Sequence, residues 1–185
     1  MDMSKAFDRV EWDFLVGVMK KLGFSDFWIN MVMACVSTVS FSVLVNGKPG
    51  QPFQPTRGLR QGDPLSPYLF LIISEALSRN IMKCIESGEI KGIRIARGRP
   101  YSITSFLHRR LVLLLKGRST KLLRFRELLH DYCLASGQSI NYDKSCMYFS
   151  QNTPATTMSS ISSLLGIKEV SNPGTHLGLP TIWGR

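Results

Sequence analysis

Between Arg57 and Phe70 the chain reads Arg57-Gly58-Leu59-Arg60-Gln61-Gly62-Asp63-Pro64-Leu65-Ser66-Pro67-Tyr68-Leu69-Phe70. The glycines and Pro64 interrupt any regular element before Ser66. Ser66 before Pro67 then opens a helix. A serine can cap the free amides, and proline suits the first helical position. The apolar run that follows supplies a buried face. The fold must therefore carry a polar, glycine-rich loop at the N-terminus of a core helix, a setting that offers backbone N–H groups to a phosphate or nucleotide. A plain surface loop capping a core helix has the same pattern, so the loop alone leaves both readings open.

The rest of the chain supplies elements for an α+β domain. Asp8 starts a helix, with Asp8 and Glu11 as a capping-box pair and Phe7 and Trp12 placed as a hydrophobic staple. Val10, Phe14, Leu15 and Val18 carry its period, and Gly23 ends it. Ser25 starts a second helix that runs to about Val36. Phe41, Val43 and Val45 alternate before Asn46-Gly47, a two-residue turn signal, and the return strand includes Phe53. A long helix follows from Pro67 to about Ile85. Ile93 to Ile95 reads as a strand, and Phe106 to Leu115 is a second apolar stretch. Leu122, Phe125, Leu129 and Tyr132 mark a helix closed by Gly137. Lys144 to Phe149 reads as a strand, Thr153-Pro154 opens a short helix ending near Gly166, and Leu177 to Ile182 forms a final strand or hairpin. This order suits an antiparallel sheet backed by helices.

Charge narrows the partners. The chain has 185 residues, enough for one domain, and carries 23 basic against 13 acidic residues for a formal net charge of +10. That balance favours a polyanion, with nucleic acid first and an anionic membrane surface second. Cys35, Cys84, Cys133 and Cys146 are widely spaced with no C-x-x-C pair, so they read as buried free thiols in a reducing compartment rather than a zinc site or disulfide frame. No apolar run is long enough to span a bilayer and no targeting signal is evident, so no membrane role is expected and cytoplasm or nucleus is the default.

Two motifs together carry a resemblance. Arg57 to Phe70 resembles the nucleotide- and template-positioning loop of reverse transcriptases of non-LTR, LINE-type retrotransposons. Asp2-Met3-Ser4-Lys5-Ala6-Phe7-Asp8-Arg9-Val10-Glu11-Trp12 resembles the motif that carries their first metal-binding carboxylate. The resemblance implies a polymerase palm-like antiparallel sheet backed by helices, a partial domain over residues 1–185 with the start of the thumb-side region. It implies RNA-directed DNA polymerisation, with Mg²⁺ as cofactor and an RNA template and DNA primer as partners. Met1 stands directly before Asp2, so the strand that would lead into Asp2 is expected to be absent.

The resemblance also assigns roles. Asp2 matches the first metal carboxylate and Phe7 the aromatic sugar gate. Gln61 and Gly62 match residues that touch the incoming nucleotide and the template base. Arg57 is placed for a phosphate. Lys144, in a G-x-x-x-N-x-x-K pattern from Gly137, matches a lysine that can give a proton to pyrophosphate or screen its charge. His176-Leu177-Gly178-Leu179-Pro180 resembles the primer-grip hairpin, with Leu177 and Gly178 at its centre and His176 where the family usually has Tyr. The residues alone allow plainer roles: Phe7 as a helix staple, Asp8 and Ser66 as caps, Lys144 as a surface charge.

One expected feature fails. The family's aromatic-Ala-Asp-Asp box falls on Phe106-Leu107-His108-Arg109-Arg110-Leu111-Val112, with Arg109 and Arg110 where the two aspartates belong. Mg²⁺ requires hard oxygen ligands, and arginine offers neither a lone pair nor a route to neutrality. Like charges at contact repel by about 4 kcal/mol even at a moderate effective dielectric. The expected outcome is a reverse transcriptase fragment without polymerase activity, with a non-catalytic nucleic-acid-binding remnant or a non-functional pseudogene product as the alternatives. A codon set TTT-CTT-CAC-AGA-CGA-CTC for Phe106 to Leu111, read one nucleotide on, would give Phe-Phe-Thr-Asp-Asp, so two compensating indels or a misplaced intron boundary would produce the segment; the encoding DNA decides it. Undoing both changes takes the net charge from +10 to +6, because each removes two units of charge.

Overall fold

In the computed structural model, residues 1–90, 104–107, 110–113, 119–172, 175–176 and 179–180 are described. The expected strand at Ile93 to Ile95, together with Arg109, Leu177 and Gly178, lies outside them. The architecture is α+β, with two compact units: residues 1–4, 80–130 and 140–185 form one, and residues 5–79 and 131–139 the other.

The second unit is mainly helical. Helix α1 spans Trp12–Lys21 and buries Leu15, Val18 and Met19. Helix α2 spans Asp26–Ser37, and the Ser25 hydroxyl caps it by accepting from the Trp28 N–H at 3.4 Å. Helix α3, Ser66–Glu86, contributes Leu69, Phe70, Ile73 and Leu77 to the buried set here. The expected hairpin is present as β1 (Leu44–Val45) and β2 (Lys48–Pro49), extended by an antiparallel bridge between Phe41 and Phe53. Asn46 and Gly47 both take positive φ, 51° and 76°, as a type I′ turn requires. The alternation at Phe41, Val43 and Val45 predicts one buried face. Instead Val43, Leu44 and Val45 are all more than half exposed.

The start of α1 corrects the sequence reading. Residues 4–9 are turns, the helix begins at Trp12, and Glu11 is its N-cap without a side-chain capping bond. Asp8 is therefore neither the helix start nor half of a capping box. Phe7 does not staple to Trp12: its ring stacks on Phe70, centroids 5.0 Å apart. Tertiary partners outcompete the local motif, because a buried aromatic pair gains more than an exposed staple.

The first unit holds a four-stranded antiparallel sheet and the remaining helices. Its strands are β3 (Asp2–Met3), β4 (Thr104–Leu107), β5 (Arg110–Leu113) and β6 (Ile140–Asn141), in spatial order β4-β5-β3-β6. Asp2–Met3 is the inner strand β3, paired antiparallel on both sides. Helix α4, Ser119–Ser136, places Leu122, Phe125, Leu128 and Leu129 among the buried residues of this unit. Helix α5, Ala155–Leu165, ends at Gly166 in the left-handed region, as expected.

Two strand expectations are revised. Lys144 sits in a turn, and only Cys146–Met147 of the segment to Phe149 is a strand. That strand pairs in parallel with Lys168–Glu169, so the chain is not wholly antiparallel. The C-terminal hairpin is present as Thr175–His176 paired antiparallel with Leu179–Pro180. The cysteines are free, but only Cys84 is fully buried, and Cys35 and Cys146 are exposed. No described helix is long and apolar enough to cross a membrane.

Candidate functional site

In the second unit the two motifs are laced together. The Gly58 N–H donates to the Val10 carbonyl and the Leu59 N–H to the Phe7 carbonyl, both at 2.8 Å. The Trp12 indole N–H donates to the Gly58 carbonyl at 2.8 Å. Arg57 pairs with Glu11 at 3.2 Å, and the Gln61 amide donates to the Asp8 carboxylate at 3.0 Å. This pairing needs a glycine at 58. Its φ is +92°, and a Cβ there would stand 2.9 Å from the Asp8 carbonyl oxygen. The loop then leaves the contact: Leu59 is buried, while Arg60, Gln61 and Gly62 are exposed. Asp63 closes the loop by accepting from the Leu65 N–H at 2.8 Å, which leaves Ser66 as the first residue of α3.

In the first unit Asp2 is buried at the centre of the sheet. Its cross-strand partners are Arg110 on β5 and Asn141 on β6. The Asp2 N–H donates to the Ser145 hydroxyl at 3.0 Å, and that hydroxyl donates to the Asn141 carbonyl at 2.7 Å. Asn141 also accepts the Lys144 N–H on its side chain at 3.1 Å, which shapes the turn and leaves Lys144 exposed. The expected residues thus fall into two groups: Asp2, Arg110 and Lys144 in one unit, and Phe7, Arg57, Gln61 and Gly62 in the other.

Residues 1–178 match the family described as reverse transcriptase (RNA-dependent DNA polymerase). The chain belongs to the reverse transcriptase family. An uncharacterized mitochondrial protein of Arabidopsis thaliana is 47% identical over 57 residues, 31% of this chain and 47% of that protein. The Pol polyprotein of the type-1 retrotransposable element R2 of Popillia japonica is 31% identical over 77 residues, 42% of this chain and 13% of that protein. A 149 kDa protein of transposon TX1 from Xenopus laevis is 26% identical over 145 residues, 78% of this chain and 11% of that protein. The matched stretches span less than half of each of these proteins. The R2 and TX1 likenesses agree with the expected non-LTR retrotransposon type.

Reverse transcriptases are metal-dependent, so the donor set of this one is informative. A magnesium site is built from several carboxylate or carbonyl oxygens. Here Asp2 has a guanidinium residue and an amide residue as its strand neighbours. No group of three or more His, Cys, Asp or Glu able to hold a metal exists among the described residues. Among the described residues, the strand neighbours of Asp2 supply no further carboxylate.

Sequence reasoning missed two contacts that hold the paired motifs. Asp8 read as a cap and is instead the acceptor for Gln61. Gln138 carried no assignment, yet its amide donates to the Ala6 carbonyl at 2.8 Å across the chain. The signal for Asp8 is its place beside Phe7. Nothing local marks Gln138, because its partner is 132 residues away.

Proposed function

We propose that this chain is a polymerase palm-like reverse transcriptase domain of a non-LTR retroelement that no longer catalyses DNA synthesis. Residues 1–185 correspond to the palm with the start of the thumb-side region. One observation carries the reading: Asp2, the first metal carboxylate of the family motif, has Arg110 as its cross-strand partner. In register, the position opposite Asp2 is an arginine where the family motif carries an aspartate.

The nucleotide-side half keeps its assignments. Phe7 contacts the sugar, Gln61 and Gly62 meet nucleotide and template base, and Arg57 reaches a phosphate by leaving Glu11. Lys144 serves the pyrophosphate, and Leu177 with Gly178 the primer. The net charge of +10 supports a second reading in which the domain still binds RNA or DNA without chemistry.

Manganese binding, read by electron paramagnetic resonance, tests the lost metal site. The chain as written binds no Mn²⁺ at millimolar concentration, whereas an Arg109→Asp/Arg110→Asp variant gains a site that Asp2→Asn removes. Stoichiometric Mn²⁺ on the unaltered chain, lost on Asp2→Asn, contradicts the reading.

A further inference from the structure

The turn that carries Phe7 is held from behind. Helix α4 ends at Ser136, which is fully buried, and the Glu11 N–H donates to the Ser136 carbonyl at 3.1 Å. Gly137 follows with φ +74°, and a Cβ there would overlap the Arg9 carbonyl oxygen. Gln138 comes next, 3% exposed, its own N–H bonded to the Ser136 hydroxyl. The side-chain amide crosses to the Ala6 carbonyl, the residue before Phe7. On the other side of Phe7, its carbonyl takes the Leu59 N–H and its ring lies on Phe70.

Gln138 is costly to bury in this way. Its Oε1 meets no hydrogen-bond partner, and an unpaired buried acceptor opposes folding. Methionine would fill similar space without that penalty. A backbone carbonyl only accepts, so the amide N–H₂ is the one part of the side chain that can serve Ala6. The bend there is unusual as well, since Lys5 has φ +48° without being glycine. The polar end of the side chain is accounted for by a single bond, the one that fixes this bend.

We infer that Gln138 is a positioning residue for Phe7: its amide locks the Ala6 carbonyl and so fixes the turn that aims the ring. The purpose of the aim rests on reading Phe7 as the sugar contact, but the positioning itself does not.

The test is hydrogen exchange and aromatic NMR on the ligand-free chain, which reads the turn without any polymerase assay. Gln138→Met removes the donor. Amide exchange at Leu59, whose acceptor is the Phe7 carbonyl, and at Gly58, whose acceptor Val10 directly follows the turn, accelerates at least tenfold. The Phe7 ring resonances move, while Ile73 and Leu77 amides keep wild-type protection. Gln138→Glu supplies a second arm. Its introduced carboxyl can donate to Ala6 only when protonated, and burial raises its pKa. That variant therefore shows wild-type Phe7 resonances at mildly acidic pH and displaced ones at alkaline pH, while the wild type stays unchanged over the same range. Unaltered exchange at Leu59 in Gln138→Met, acceleration spread evenly over the chain, or a Gln138→Glu spectrum that ignores pH overturns the inference. Failure here leaves the polymerase reading untouched, since primer extension and metal binding decide that separately.

Discussion

Leu59 donates its backbone N–H to the Phe7 carbonyl at 2.8 Å. This bond joins the glycine-rich loop to the turn of the first motif, two segments separated in sequence by two helices and a hairpin. It explains why both motifs are needed for either to have a defined shape. The loop has no sheet of its own, and the turn has no helix until Trp12. Each satisfies the backbone polar groups of the other, as buried backbone requires.

Gly58 and Gly62 separate contact from conformation. Both have positive φ, +92° and +88°, but only Gly58 has Asp8 backbone against the place a Cβ would take. Gly58→Ala is expected to destabilise the chain by about 2–4 kcal/mol, combining left-handed strain with a backbone clash. Gly62→Ala carries the conformational part alone, about 1 kcal/mol. Urea unfolding of the two variants side by side checks the difference. Equal losses would mean that the close approach at Asp8 is unimportant.

The residues just after α3 are clasped to α4 by a pH-sensitive pair. Arg124 donates to Glu89 at 2.7 Å and the Ser87 hydroxyl does the same at 2.7 Å. The hydrogen bond from Arg124, then that from Ser87, holds the Glu89 carboxyl below its ordinary value of 4.5. A carboxylate with a lower pKa folded than unfolded adds stability above the unfolded pKa and loses it as pH falls through the folded one. The stability difference between wild type and Glu89→Gln is therefore constant near neutrality and shrinks only below about pH 4.5. The pair is solvent-exposed, so the difference is small and falls with added salt. Urea titrations across that range, at two salt concentrations, give the comparison.

Nucleic-acid binding should be electrostatic and insensitive to sequence. From Phe27 to Gly62 the chain contains no acidic residue, while Lys48, Arg57 and Arg60 are present. Single-stranded RNA affinity is expected to fall roughly tenfold between about 50 and 200 mM salt, the slope of two to three released counterions. Arg57→Ala combined with Arg60→Ala lowers the slope by one to two. Fluorescence anisotropy with a labelled RNA reads both. A salt-independent affinity, or none at low salt, would remove the binding reading.

Much of this was legible in the sequence where the signal is local. Ser25 and Gly166 bound their helices, and Asn46-Gly47 turns its hairpin. The misreadings occur where long-range partners override local preference. Asp8 is drawn to Gln61, and Phe7 to Phe70. Lys144 read as a strand residue, but the Asn141 side chain captures its N–H and makes a turn. The contact of Gln138 with Ala6 had no local mark, because the two are far apart in sequence. Replacement of the Asp pair by arginines is visible from sequence alone, and the register adds that one of the two lies directly across from Asp2.

The most direct measurement is primer extension on an RNA template with a DNA primer, Mg²⁺ and all four deoxynucleotides. The unaltered chain is expected to give no templated product above a no-protein control, because Arg110 stands opposite Asp2. Templated extension that is abolished by Asp2→Asn would contradict the account, since it would require a working metal centre beside that arginine.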